Sequence, residues 1–339
     1  MVPISGESDA TGVSFHLADR QRRLAGVRLR HELGPEPVDF DRLPGGWTLR
    51  LDQPAVDRME YLFELQDHHD HHWTITDPAN PLRAPGAFGE KSVVEFASYV
   101  RPEWLAAAPP VGTLGEAEFD VLDSTMTVGL WTPCGLDGPA PLLVVHDGPE
   151  FDALGGFTHW LGASIAAGLI PPTRAALLDP GDRNVWYAAN PDYADALCEQ
   201  VLLNLPPATA TIGIGASLGA LAVLHAHRRH PGCFDALFLQ SGSFFTAEND
   251  PQEAGFSGFA TVTDFVDSVH AATREDAPVP AVLTCGTVEE NLANNQAMAA
   301  TLGRLGSDVA LHERRDAHNF TAWRDALHPY LTELVARAS

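Results

Sequence analysis

Four stretches near the N-terminus, residues 13–18, 26–31, 46–51 and 59–65, alternate apolar with polar side chains and are separated by turn residues at short intervals. Successive side chains of a strand point to opposite faces, so this period of two predicts half-buried strands in a small antiparallel sandwich. The pattern then breaks. Asp77-Pro78-Ala79-Asn80-Pro81, Ala84-Pro85-Gly86 and residues 104–110 make a proline-rich stretch poor in strand signals, which reads as a connection wrapping towards a second domain. A flexible tether would be rich in Gly and Ser; here Phe88, Val93, Phe96, Tyr99 and Trp104 predict a packed segment. The boundary is expected near residue 112, with the first domain contributing to a substrate cleft.

Beyond it, strand and helix periods take turns. A hairpin at 117–122 and 126–133 leads to the apolar run 142–145, of the kind that belongs in a central parallel strand. Helix 157–168, strand 175–178, helix 192–205, strand 210–214, helix 220–227, strand 234–240, helix 265–272, strands 281–286 and 308–314, and a final helical pattern over 320–336 follow. That alternation predicts an α/β class chain, its 113–339 part a doubly wound sheet preceded by a small all-β domain, 1–112.

Composition fits two cores: 339 residues exceed what one hydrophobic core usually supports, and 45% are apolar. Residues 1–9 lack a basic segment followed by an apolar one, and nothing approaches the roughly 18 apolar residues of a membrane span, so a soluble, cytoplasmic chain is expected. Cys134, Cys198, Cys233 and Cys285 are far apart without a CxxC pair and read as buried thiols. The net charge is −24, most of it after residue 110, which argues against nucleic acid and anionic membranes as partners.

One motif carries chemistry. Gly215-Ala216-Ser217-Leu218-Gly219 lies between a β-branched run and a helical one. A serine on such a turn presents its hydroxyl out of the sheet, and the glycines avoid collision of a Cβ with the neighbouring strand and helix. A serine hydrolase of this order needs an acid and then a histidine downstream, each after a strand. Thr287-Val288-Glu289-Glu290-Asn291 follows strand 281–286, and Asp316-Ala317-His318-Asn319 follows strand 308–314. Ser217 is thus the expected nucleophile and His318 the base.

The chain resembles the enterochelin esterase-like group of the esterase D type α/β hydrolases. The residues that carry the likeness are Asp77-Pro78-Ala79-Asn80-Pro81, Leu143-Val144-Val145-His146-Asp147-Gly148, Gly215-Ala216-Ser217-Leu218-Gly219, Gln240-Ser241-Gly242-Ser243-Phe244 and His318-Asn319-Phe320-Thr321-Ala322-Trp323-Arg324. The resemblance implies an α/β-hydrolase domain after an early-set immunoglobulin-like sandwich. It also implies a triad of Ser217, His318 and an acid in the loop after Gly286, with Glu289 the better match and Glu290 in reserve. Related enzymes take one oxyanion donor from the N–H of the residue after the Asp-Gly pair. Here that residue is Pro149, which has none, so that donor must move or vanish: Gly148 or Glu150 could supply it if the loop is shifted, while the N–H of Leu218 is unaffected. Relatives often carry a glutamate after the arginine at Arg183, and this chain has Asn184-Val185-Trp186.

Arg183, Trp186, Phe244 and Phe245 are expected to bind substrate near the rim of the site. His68-His69-Asp70-His71-His72 reads as a solvated turn, because neighbours on an extended strand point to opposite faces, and no metal or other cofactor is expected. His146 is expected to shape the oxyanion loop. The resulting expectation is a carboxylic-ester hydrolase working through an acyl-enzyme on a small-molecule ester, by resemblance a siderophore. The acidic chain makes a neutral or less charged ester at least as plausible as a tri-catecholate iron complex. The alternative is a binding or scaffold protein whose hydrolase domain has lost efficient catalysis.

Overall fold

The computed structural model describes residues 6–9, 11–34, 36–108, 110–274 and 276–338. Residues 1–5 of the N-terminal segment, and Pro109 of the proline-rich stretch, lie outside the described residues. The alternating N-terminal stretches are strands. In Gly12–Ala18 the side chains of Val13, Phe15 and Leu17 are buried, while Ser14 and His16 between them are half-buried. One sheet orders Glu7–Asp9, Gly12–Ala18, Gly46–Asp52 and Asp41–Leu43. A second orders Val38–Asp39, Leu24–His31, Arg58–Asp67, Lys91–Glu95 and Arg83–Ala84, with His72–Ile75 also paired to Arg58–Asp67. Both sheets send apolar residues into one core, where Phe15 meets Tyr61 edge-on at 4.9 Å and Phe40 meets Phe63 at 5.2 Å. Such pairs add about 0.5–1.5 kcal/mol each beyond area burial.

Strand Arg58–Asp67 is buried on both faces. Met59, Tyr61, Phe63 and Leu65 enter the apolar core, and Arg58, Glu60 and Glu64, alternating with them, are buried as well. Buried charges persist only when paired. Arg58 NH2 lies 2.7 Å from Glu60 Oε1, Lys91 Nζ 3.5 Å from Glu60 Oε2, and Arg28 is paired with Glu64.

The proline-rich stretch departs from expectation. Lys91–Glu95 is a strand antiparallel to Arg58–Asp67, and Val94 and Phe96 belong to the N-terminal core. Phe88 is fully exposed. Trp104, by contrast, lies edge-on to His159 of the helix Phe157–Ala166. By packing, the chain divides into two compact units: one runs to Val100 and adds Gly286–Glu289 and Arg314–Ala322; the other comprises Arg101–Cys285, Glu290–Glu313 and the chain from Trp323 on.

The large sheet has eight strands, ordered Gly112–Val121, Ser124–Pro133, Arg174–Leu178, Ala140–Val145, Ala208–Ala216, Ala236–Gln240, Ala281–Gly286 and Val309–Arg314. The first two form an antiparallel hairpin whose second strand pairs antiparallel with Arg174–Leu178, and the neighbours from Arg174–Leu178 to Ala281–Gly286 are parallel. Ala140–Val145, Arg174–Leu178 and Ala236–Gln240 are buried throughout, as helices on both faces of a parallel sheet require. This is a mixed α/β fold with a large central sheet.

Two expectations about local structure are corrected. The pattern over 320–336 is not one helix: Phe320–Asp325 and Thr332–Ala338 are separated at His328 (φ −118°, ψ 130°), whose neighbour Pro329 disfavours the helical region for the residue before it. The cysteines are not all thiols. Cys198 and Cys233 are disulfide-bonded with Cα atoms 6.0 Å apart; Cys134, exposed, and Cys285, buried, are not in a disulfide.

Candidate active site

Strand Ala208–Ala216 ends at Ser217, and the helix Leu218–Arg229 begins at once. Ser217 takes φ 56° and ψ −125°, a region that costs a non-glycine residue about 1–3 kcal/mol and persists only when the surroundings enforce it. They do. The Ser217 N–H donates to Gln240 O at 2.9 Å, and its carbonyl accepts Ser243 N–H at 3.1 Å. A Cβ on Gly215 would collide with the Gly219 backbone, and one on Gly219 would stand 3.2 Å from Asp147 Oδ2. Ser217 Oγ lies 3.1 Å from Ser243 Oγ. The N–H of Leu218, first in its helix, has no intrahelical partner to bond and sits at the positive end of the helix dipole.

The segment after Ala140–Val145 turns sharply at Asp147 (φ 53°, ψ 36°) into the helix Gly148–Gly155. Pro149 stands in its first turn, where a missing N–H costs nothing. Arg183 reaches the turn from the short helix Arg183–Trp186 and grips Asp147 with both arms, Nε to Oδ1 at 2.7 Å and NH2 to Oδ2 at 3.0 Å. Glu150 is half-buried, and its Oε2 has no hydrogen-bond partner among the described residues. Burial pushes its carboxyl up, Asp147 and Asp179 add to this, and Arg183 opposes it. His146 is wholly buried, with the rings of Tyr187 and Tyr193 edge-on at 5.1 and 5.9 Å and neither ring nitrogen hydrogen-bonded among the described residues. Burial pushes it down to about 3, so its ring is neutral.

In the other unit, His318 Nδ1 and Glu289 Oε2 are 2.7 Å apart. Glu289 Oε1 accepts the Gly286 N–H at 2.6 Å, which fixes the carboxylate, and only 2% of the side chain is exposed against 38% for His318. Glu290 points elsewhere: it is exposed and lies 3.4 Å from Gln252 Nε2. A buried carboxylate on Nδ1 holds an imidazole in the tautomer and orientation that a proton-transferring histidine needs.

The residues expected to bind substrate are placed differently. Trp186 stacks on Tyr193 with centroids 5.7 Å apart, and Trp186, Phe244 and Phe245 are all buried in the core of the second unit, so the rim reading of these three is corrected. Arg183 is occupied by Asp147. The 68–72 cluster is exposed, and its histidines pair with neighbouring groups, His71 with Asp67 at 3.2 Å and His72 with Asp70 at 3.4 Å. Among the described residues no group of three or more His, Cys, Asp or Glu is arranged to hold a metal, and no helix is long and apolar enough to cross a membrane. Ser243, in contact with the nucleophile candidate, lies in Gln240-Ser241-Gly242-Ser243-Phe244, a segment that carries the family likeness, yet nothing in its sequence marks the hydroxyl as part of a site.

No family model matches the chain. The iron(III) enterobactin esterase of Dickeya dadantii (strain 3937) is 25% identical, over 90% of this chain and 80% of that protein. The chain is thus enterochelin esterase-like in sequence. Among solved structures, the ferric enterobactin esterase from Salmonella typhimurium superposes with a TM-score of 0.79 at 19% identity, covering 95% of this chain and 93% of that one. The enterobactin esterase from Shigella flexneri in the presence of enterobactin gives 0.77 at 21%, covering 97% and 94%. A ferulic acid esterase gives 0.55 at 18%, covering 68% of this chain and 99% of that one. These structures share the fold.

Proposed function

We propose that this enterochelin esterase-like chain is a serine carboxylic-ester hydrolase that cleaves siderophore-type esters through an acyl-enzyme. Its organisation would be an early-set immunoglobulin-like sandwich, 1–112, before an α/β-hydrolase domain, 113–339. The observation that carries the reading is the left-handed backbone of Ser217 between strand and helix, a strain held in place by backbone hydrogen bonds to Gln240 and Ser243. In the reaction, His318 takes the Ser217 hydroxyl proton as Oγ attacks the ester carbonyl, and Glu289 stabilises the imidazolium. The oxyanion receives the Leu218 N–H and a second N–H from Gly148 or Glu150 at the head of the helix Gly148–Gly155, a donor typically contributing about 3 kcal/mol. The imidazolium protonates the departing alcohol; a water, deprotonated by His318, then releases the acid and restores Ser217.

The test is labelling by a fluorophosphonate probe together with turnover of a panel of esters, ferric and iron-free tri-catecholate trilactones beside neutral aryl esters. Wild type is expected to label and turn over, while Ser217→Ala and His318→Ala lose several orders of magnitude in rate and keep their unfolding temperature. A variant hydrolysing near the wild-type rate overturns the mechanism; no labelling of wild type between about pH 6 and 9, where a histidine base works, favours the binding reading. For location, a cytoplasmic chain would hold Cys198 and Cys233 as thiols and an exported one as the bridge, which thiol titration of freshly isolated protein distinguishes.

A further inference from the structure

The first unit holds more than a β-sandwich. The two short segments that bear Glu289 and His318 pack with it, and each is anchored by its own contacts. In the acid segment, Val288 packs against the sandwich core beside Glu289. In the histidine segment the anchor is polar. Arg58, 1% exposed at the start of the strand Arg58–Asp67, donates from NH1 to Asn319 Oδ1 at 3.1 Å, and the same nitrogen lies 3.8 Å from Asp316 Oδ1. Its other arm is fixed by Glu60 at 2.7 Å. Asn319, next to His318, also donates to Glu32 Oε2 at 2.7 Å and accepts the Ala322 N–H at 2.9 Å, capping the helix Phe320–Asp325. Two more ties flank these: Asp57 N–H to Arg315 O at 2.7 Å, and Arg315 Nε to Asp57 Oδ1 at 2.9 Å.

A buried guanidinium is costly to desolvate, and Glu60 with Lys91 nearby would satisfy an ordinary structural pair. The fork spent on Asn319 serves something else. We propose that Arg58 is a positioning residue for catalysis, holding Asn319 and thereby the His318 segment in register with Glu289. The proposal rests on the reading of His318 and Glu289 as base and acid. Catalytic groups misplaced by about 1 Å can lose a hundredfold in rate, so the effect of loosening this anchor falls on the chemical step and not on substrate affinity.

The experiment measures hydrolysis of p-nitrophenyl acetate by the full chain, with kcat expressed per serine titrated by the fluorophosphonate probe, so that misfolded molecules do not count. Arg58→Lys keeps the charge and loses the fork; Asn319→Ser keeps a capping oxygen and loses the reach to Arg58 and Glu32. Each is expected to lower kcat at least about tenfold with KM within about twofold of wild type. Arg28→Met, which breaks a different ion pair of the sandwich with Glu64, is expected to leave both unchanged. Should Arg58→Lys fail to fold, Asn319→Ser decides. Unchanged kcat in the variants that fold, or an equal loss in Arg28→Met, overturns the proposal while wild-type activity upholds the esterase reading; wild type that neither labels nor hydrolyses overturns both.

Discussion

Ser217 and Glu289 show how far single positions decide the site. Serine, acid and histidine could be read from chain order because each must follow a strand: those before Ser217 and Glu289 end in buried apolar runs, and Val309–Arg314 before His318 gives a weaker, half-buried signal. The choice between adjacent glutamates could not be read that way. Glu289 is held by the Gly286 N–H and faces His318, whereas Glu290 is exposed, and the difference comes from the turn that closes Glu289 N–H onto Gly286 O at 3.2 Å. Glu289→Gln is therefore expected to lower kcat by at least about a hundredfold, since a mis-set histidine tautomer is expensive in rate, and Glu290→Gln by less than about twofold. Steady-state kinetics on one small ester checks this; the reverse order would move the acid to Glu290. Arg183 illustrates the opposite limit. An arginine beside a site looks like a ligand for substrate, and only tertiary structure shows that Asp147 already fills its fork.

Elements with strong periods were legible and those built on polar burial were not. Helix Leu292–Arg304 escaped the sequence reading because Asn294 and Asn295 are poor helix formers at positions that look exposed. Both are buried: Asn294 Nδ2 donates to Asp250 at 2.9 and 3.1 Å, and Asn295 exchanges hydrogen bonds with the Gly242 backbone. The strand Lys91–Glu95 hid in a proline-rich context for a similar reason, since its partner strand supplies the order that local composition does not. The disulfide joins Cys198, in the wide-turned segment Leu197–Val201, to Cys233 just beyond the helix Leu218–Arg229, at a separation of 35 residues. Closing such a loop restricts the unfolded chain, so Cys233→Ser or reduction is expected to lower stability by about 2–4 kcal/mol in an oxidised sample, read from denaturant midpoints with and without reductant. Equal midpoints would mean that the pair is not bridged in solution.

Across the whole molecule, a buried and a half-buried histidine couple stability to pH. Burial pushes His146 down to about 3 and His225 to about 4, whereas an unfolded histidine binds its proton near 6.5. Between those values the unfolded chain binds more protons, so these two contributions are complete above about pH 6.5 and are lost as the pH falls towards 4. Asp195, held below the usual carboxylate range by Arg229 and His230, adds a loss at lower pH; Glu150, pushed up by burial, works in the opposite sense. The unfolding temperature is expected to drop from pH 7 to pH 5, and His225→Phe to flatten that slope; a slope unchanged in the variant would assign the loss elsewhere. The largest test removes residues 1–110. Taken only as a wrapped connection and a cleft wall, that region would matter for esters bulky enough to need the cleft. The first unit, however, holds the core under Val288 and the Arg58, Glu32 and Asp57 contacts of the 314–322 segment, so a truncated chain keeps Ser217 but loses what fixes Glu289 and His318. Hydrolysis of p-nitrophenyl acetate by soluble truncated protein is therefore expected to fall at least about a hundredfold, along with that of bulky esters. If the truncated chain is soluble and cleaves the small ester at the full rate, the sandwich is a separate module, and the His318 segment holds its geometry without it.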